Sequence, residues 1–201
     1  NGLSIPGGWA RGGTALLVSV NGFFRGCEPG GLLVDMNNTA PTTSPVEDPL
    51  ALRRLLAHVP TAIAAVAGVV DGRPDGMIIA SFTGVSLDPP LASICIQDTS
   101  RTWGRLRGAG QLGVSILADD QGGHVKVLSA KDGDRFDGVA HHVVDDAVLI
   151  DGATVCFTAR VVHEVVHGDH LVVMLELGGA TTGEGRPPLV FHGSALKSLA
   201  A

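Results

Sequence analysis

The sequence predicts a mainly β protein with short helices, built as an antiparallel barrel. Three observations carry that prediction. The chain has 28 glycines among 201 residues, together with many Val and Ala residues, which favours short strands and tight turns over long helices. Its apolar runs are short, β-rich and separated by Gly, Pro and Asp clusters of the kind that close hairpins. The alternation of strand and long helix that marks a doubly wound sheet is missing, and no internal repeat is visible.

The elements follow in order. Residues 1–47 are rich in Gly, Pro, Thr and Ser and read as a loose N-terminal arm, or as an extension upstream of a natural start at Met36; the folded domain is expected over 48–201. Asp48 can cap a helix with Pro49 at its first position, running to His58 and stopped by Pro60. Runs 61–70 and 76–87 read as strands joined through Asp71-Gly72-Arg73-Pro74-Asp75-Gly76. Pro89-Pro90 closes the second, and 91–97 is a third strand. A short helix over 100–107, a strand over 112–117 and a helix over 119–130 come next. Runs 154–166 and 170–177 form a long pair across His167-Gly168-Asp169, and 189–192 is the last strand.

Composition excludes several classes of function. Hydrophobic residues make up 45% and charged residues 17%, an ordinary globular balance. A formal net charge of −6, without an aromatic-interleaved basic stripe, argues against nucleic acid as a partner. The longest apolar stretch, 55–70, is broken by His58 and Pro60, and no membrane association is expected. Cys27, Cys95 and Cys156 are odd in number and without CxxC spacing. Cys95 and Cys156 lie in apolar runs, so buried free thiols and a cytoplasmic location are expected.

Two motif matches do not survive their structural context. His163-Glu164-Val165-Val166-His167 matches HExxH, but that zinc site requires a helix, where residues i and i+4 share a face. On a strand the two histidines would lie roughly 13 Å apart at about 3.3 Å per residue, beyond the reach of one zinc ion. Exposed histidines are expected, and no metal site. Gly108-Ala109-Gly110-Gln111-Leu112-Gly113 matches GxGxxG, yet it follows a helix and opens a strand. A dinucleotide loop has the reverse order, so these glycines are expected at a helix cap and a turn.

Two segments carry candidate chemistry. Ile78-Ile79-Ala80-Ser81-Phe82-Thr83-Gly84-Val85-Ser86-Leu87-Asp88-Pro89-Pro90 places small and hydroxyl-bearing residues along a strand that ends abruptly. It suits a flat ligand, and it equally suits an ordinary barrel strand entering a rigid turn. In Asp98-Thr99-Ser100-Arg101-Thr102-Trp103, a capping hydroxyl, a helix start and a cation suit a phosphate monoester, with Trp103 available to cover a ring. The alternative is a plain helix cap with a core tryptophan.

Together with Val114-Ser115-Ile116-Leu117, Asp134-Arg135-Phe136, Gly168-Asp169-His170 and Pro188-Leu189-Val190-Phe191, these segments resemble the flavin reductase-like family over roughly residues 49–199. That family comprises FMN-binding split β-barrels of Greek-key type that serve as small reductases of two-component monooxygenases. The resemblance implies FMN or FAD as flavin and NADH or NADPH as hydride donor. It further implies a flavin-dependent oxygenase as partner and a homodimer. It would place Ala80, Ser81, Phe82 and Thr83 along the flavin ring, with Ser86 and Leu87 closing that side and Ser115 as a further contact. Ser100, Arg101, Thr102 and Trp103 would hold the ribityl phosphate, and Arg135 and Phe136 would support the phosphate or adenine end. His170 would dock the nicotinamide. The sequence departs from the family pattern at Ala80, Gly84 and Ser115, in its Pro60-Thr61-Ala62-Ile63 strand, in lacking an aromatic after Gly193, and in having no tyrosine. These departures leave a second reading open: a non-catalytic flavin carrier or sensor of the same fold.

Overall fold

The structure is a computed structural model that describes residues 45–131, 133–183 and 185–199. The expected N-terminal arm, with Cys27 and Met36, lies almost wholly outside them. The first element, α1 (Pro49–Leu56), begins as the sequence dictates: Asp48 accepts hydrogen bonds from the Leu50 and Ala51 N–H groups, and Pro49 takes the first turn. α1 buries none of its residues.

Twelve strands follow among the described residues. The early ones are β1 (Thr61–Ala62), β2 (Ala64–Val70), β3 (Arg73–Ile79), β4 (Thr83–Leu87), β5 (Pro90–Gln97) and β6 (Leu112–Ile116). The later ones are β7 (His141–Val144), β8 (Ala147–Ile150), β9 (Val155–His167), β10 (His170–Thr182), β11 (Leu189–His192) and β12 (Ala195–Ser198). Helices α2 (Arg101–Leu106) and α3 (Gly122–Leu128) interrupt them, and α3 is entered through a 3₁₀ turn at Asp119–Gln121. The main sheet runs β4-β5-β10-β9-β6-β2-β8-β7 with β3 added on β2, and β1-β11-β12 form a smaller sheet. Every strand pairing is antiparallel, as the hairpin-rich sequence predicts.

β2 explains how the core is arranged. Its apolar run shows no alternation because both faces are buried. Ala64 and Val66 join Ile94, Ile96, Leu112, Val114, Val173 and Leu175 in one cluster, whereas Ala65 and Ala67 join Leu117, Leu128, Val148, Ile150 and Leu189 in a second. The first cluster is closed by α2 through Trp103 and Leu106, and the second takes Leu128 from α3.

The structure corrects several expectations. The six-residue connection after β2 shrinks to Asp71-Gly72, both at positive φ (51° and 75°), the two-residue turn whose twist suits a hairpin. The run 76–87 is two strands, broken at Ala80-Ser81-Phe82. Pro90 opens β5, and the Asp88–Pro89 bond is cis. Hairpins β7–β8 and β11–β12 were not expected. Gly108 is not a left-handed cap: Arg107 ends α2 in right-handed geometry, its N–H bonded to the Trp103 carbonyl. The strand expected for the HExxH match is borne out: it lies in β9, with His163 and His167 both exposed.

Candidate functional site

β5 gives the site its polarity of faces. Ala92, Ile94 and Ile96 are buried in the barrel, and the odd-numbered residues look outward. Register then aligns Gln97 with His170, Cys95 with Val172 and Ser93 with Met174. Beyond β5 on the other side, the chain leaves β3 at Ile79 and re-enters the sheet at Thr83. Ser81 spans that break: its hydroxyl accepts from the Cys95 N–H at 2.9 Å and donates to the Cys95 carbonyl at 3.0 Å. One side chain thereby replaces a missing pair of ladder hydrogen bonds, fixing Ala80–Phe82 against β5.

The result is a groove of about 380 Å³. Met77, Ile78, Ile79 and Ala80 form an apolar side, and Ser81, Cys95, Gln97, Ser100 and His170 bring polar groups to it. His170 is held at its edge, Nδ1 2.8 Å from Asp169 Oδ1, which leaves Nε2 as the ring nitrogen free to meet a ligand. The same hydrogen bond holds the Asp169 carboxyl below the usual aspartate range. The pair's contribution to the fold is therefore complete above that range and is lost as pH falls through the lowered value.

Of the residues singled out from sequence, Ala80, Ser81, Ser100 and His170 meet in this groove. The others are placed elsewhere. Phe82 stacks on Phe157 with centroids 5.9 Å apart. Thr83, Ser86 and Leu87 lie along β4, where Leu87 is 97% exposed. Arg101 opens α2 and is exposed. Trp103 is 1% exposed, and its indole N–H donates to Glu164 Oε1 at 2.9 Å, so its ring is core and not a ligand cover. Its backbone N–H is taken by the Ser100 hydroxyl at 3.2 Å. Thr102 is buried and accepts from Arg135 Nη1 at 2.7 Å. Ser115 is fully buried and accepts from the Ile150 N–H at 3.0 Å, inside the barrel wall. Arg135 also donates to the Ala130 carbonyl at 2.7 Å and the Gly76 carbonyl at 2.9 Å. With Phe136 it lines a separate cleft.

The cysteines divide. Cys156 is buried and free, as expected, and burial pushes its thiol up from the ordinary range. Cys95 is also free but exposed, a correction whose cause is alternation: in a strand with one buried face, position 95 falls on the other. Sequence reasoning missed Cys95 and Gln97 as lining residues for that reason, although the pattern Ala92, Ile94, Ile96 carried the signal. It also missed Met77, which lies in a run read only as apolar strand.

A groove of this size, apolar along one side and carrying a few fixed polar groups, suits a flat heteroaromatic ligand. Comparison with known proteins agrees. The family model for the flavin reductase like domain matches residues 56–200. A flavin reductase of Pseudomonas putida is 35% identical over 129 residues, covering 63% of this chain and 76% of that protein. The reductase component of a 4-nitrophenol 4-monooxygenase/4-nitrocatechol 2-monooxygenase from Rhodococcus opacus is 26% identical over 146 residues, covering 73% and 79%. An NADH:FAD oxidoreductase of Streptomyces globisporus, solved in complex with NAD and FAD fragments, superposes with a TM-score of 0.72 at 30% identity, covering 78% of this chain and 98% of that one. With the match spanning both core clusters and every groove residue, the chain belongs to the flavin reductase-like family of split barrels.

Proposed function

We infer that this chain is a flavin reductase that uses NADH or NADPH to reduce FMN or FAD. The observation that carries the reading is the groove between the end of β3 and the β5–β10 ladder, in a chain of this family. Hydride donation and acceptance are supplied by the two bound ring systems themselves. The protein's task is to bind and orient them.

The groove residues suit that task. Ala80 contributes only a methyl group, which keeps the apolar side open to a flat ring. Ser81, tied at both ends to the Cys95 backbone, keeps that side from shifting. Gln97 offers an amide, and the Ser100 hydroxyl, which accepts from Trp103, still has its own proton to donate. His170, oriented by Asp169, is the residue we assign to nicotinamide docking. Three further residues of the proposed cofactor set act behind the groove: Phe82 by packing on Phe157, Trp103 by anchoring α2, and Arg135 by tying Thr102 to β3.

The assembly belongs to the same proposal. The outer face of β5, β10 and β9 carries Val172, Met174 and Val165, and the β4–β5 hairpin exposes Val85 and Leu87. A second copy covering this face would enclose the groove and make a homodimer. The kinship with a monooxygenase reductase component supports a flavin-dependent oxygenase as recipient of the reduced flavin. Among the described residues no helix is long and apolar enough to cross a membrane, and we place the enzyme in the cytoplasm, where nicotinamide nucleotides are regenerated.

The test is an anaerobic absorbance assay with NADH or NADPH and added FMN or FAD. Protein-dependent bleaching of the flavin band is expected, and His170→Ala should impair nicotinamide use more than flavin binding. Tight flavin binding without bleaching by either nucleotide would replace the reductase with a carrier or sensor.

A further inference from the structure

Gln97 closes β5 and His170 opens β10, and the register of the two strands sets them directly opposite each other. Cross-strand partners carry their Cβ atoms about 4.5–5.5 Å apart on one face of a sheet, and both of these side chains line the groove. Their backbones are held from three sides. The Ser100 N–H donates to the Gln97 carbonyl at 3.0 Å, and the Asp98 N–H donates to the Asp169 carbonyl at 3.2 Å. The ladder itself continues inward through Ile96 and Leu171. His167, the cross-strand neighbour of His170 on β9, is not among the residues lining the groove.

The two side chains present complementary chemistry. The Asp169 carboxylate accepts from His170 Nδ1 at 2.8 Å, so in the neutral imidazole Nε2 is left as an acceptor. Gln97 is exposed, and its amide makes no hydrogen bond among the described residues, which leaves both its donors and its acceptor unspent. Ser81 is no rival, because its hydroxyl is committed at both ends to the Cys95 backbone. A ring acceptor beside an amide donor does not suit a phosphate or a carboxylate, which only accept. It suits a primary carboxamide, whose nitrogen donates and whose oxygen accepts from adjacent positions on one planar group.

We propose that Gln97 is a positioning and specificity-determining residue of the reductase, donating to the carboxamide oxygen of the nicotinamide while His170 Nε2 accepts from the carboxamide nitrogen. The assignment rests on the reductase reading and adds to docking by His170 a second point of attachment. A single contact leaves the ring free to swing about it. Two contacts to one planar group fix its rotation, and with it the place of the hydride-bearing carbon.

The test is anaerobic steady-state kinetics of the full chain with FMN as acceptor. NADH is compared with its reduced thionicotinamide analogue, in which sulfur, a weak acceptor, replaces the carboxamide oxygen. The analogue's own reactivity is common to every variant, so the change in the NADH-to-analogue ratio of kcat/KM between variants reads the protein's contact alone. Gln97→Leu is expected to lower kcat/KM for NADH by about tenfold, to lower the ratio by a similar factor, and to alter FMN affinity less. Gln97→Glu keeps the size and loses the donor, and should behave as Gln97→Leu does. A ratio that is the same in Gln97→Leu as in the wild type, or a Gln97→Glu protein that matches the wild type, would overturn the proposal. Failure of the wild type to bleach flavin with NADH removes the reductase reading and this contact together, whereas bleaching with an unaltered ratio removes the role of Gln97 alone.

Discussion

At Gly113 in β6 a hydrogen atom stands where any side chain would strike the next strand: an added Cβ would lie 2.0 Å from the Val148 carbonyl oxygen and 2.6 Å from its carbon. Backbone cannot yield as a flexible side chain can, so Gly113→Ala should cost about 3 kcal/mol or more, read as a lowered midpoint in chemical denaturation with flavin absent. Unchanged stability would mean that β8 does not cross β6 this closely. Gly113 is also the last glycine of the GxGxxG match, and its real constraint is a strand crossing. Residues differ in how far sequence could reveal their work. Ala80, Ser81 and Ser100 were legible because small and capping side chains cluster in two short segments, and His170 only through the family resemblance of its Gly168-Asp169-His170 turn. Trp103, Ser115 and Arg135 were legible only as residue types. Which way each side chain turns depends on partners such as Glu164, Ile150 and Gly76, far away in the chain.

Among the elements, α2 has six residues and would be marginal alone. It is held by Trp103 and Leu106 in the core and by Glu164 of β9, which accepts from the Trp103 indole and pairs with Arg107. Trp103→Phe keeps most of the apolar area and removes the indole donor. We expect a loss of about 1–3 kcal/mol in denaturant unfolding, with Glu164→Gln, which can still accept, losing less. The strands that sequence found were those with β-branched runs and Gly or Pro punctuation. Hairpin β7–β8 escaped because its turn is Asp145-Asp146, both at positive φ (46° and 71°). The β11–β12 turn, Gly193-Ser194, likewise puts a serine at φ 61°. Aspartate and serine pay a modest strain there, so neither turn carries the usual Asn-Gly or Asp-Gly signal.

For the molecule as a whole, Val165, Val172 and Met174 on the outer face of β5, β10 and β9 carry the expectation of a dimer. Val165→Asp places a charge at its centre without touching the core, and sedimentation velocity should find the wild type as a dimer and the variant as a monomer. A monomeric wild type would remove the dimer from the proposal and leave the groove open on one side. The architecture was legible because hairpins impose antiparallel order, and the β9–β10 pair was legible with it, whereas the joining of β9 to β6 was not, since pairings between distant strands leave no local mark. β9 and β10 are thirteen residues each, and valines occupy both faces of β9, at Val161, Val162, Val165 and Val166. A slip of one residue would turn every side chain to the other face, and the apolar pattern alone would scarcely resist it. Glu164 resists it, because only one phase of the strand delivers its carboxylate to Trp103 and Arg107 while turning His163 and His167 to the outer face. The five residues that imitate a metal signature thus serve as a timing mark, telling a long and otherwise ambiguous ribbon which way to face.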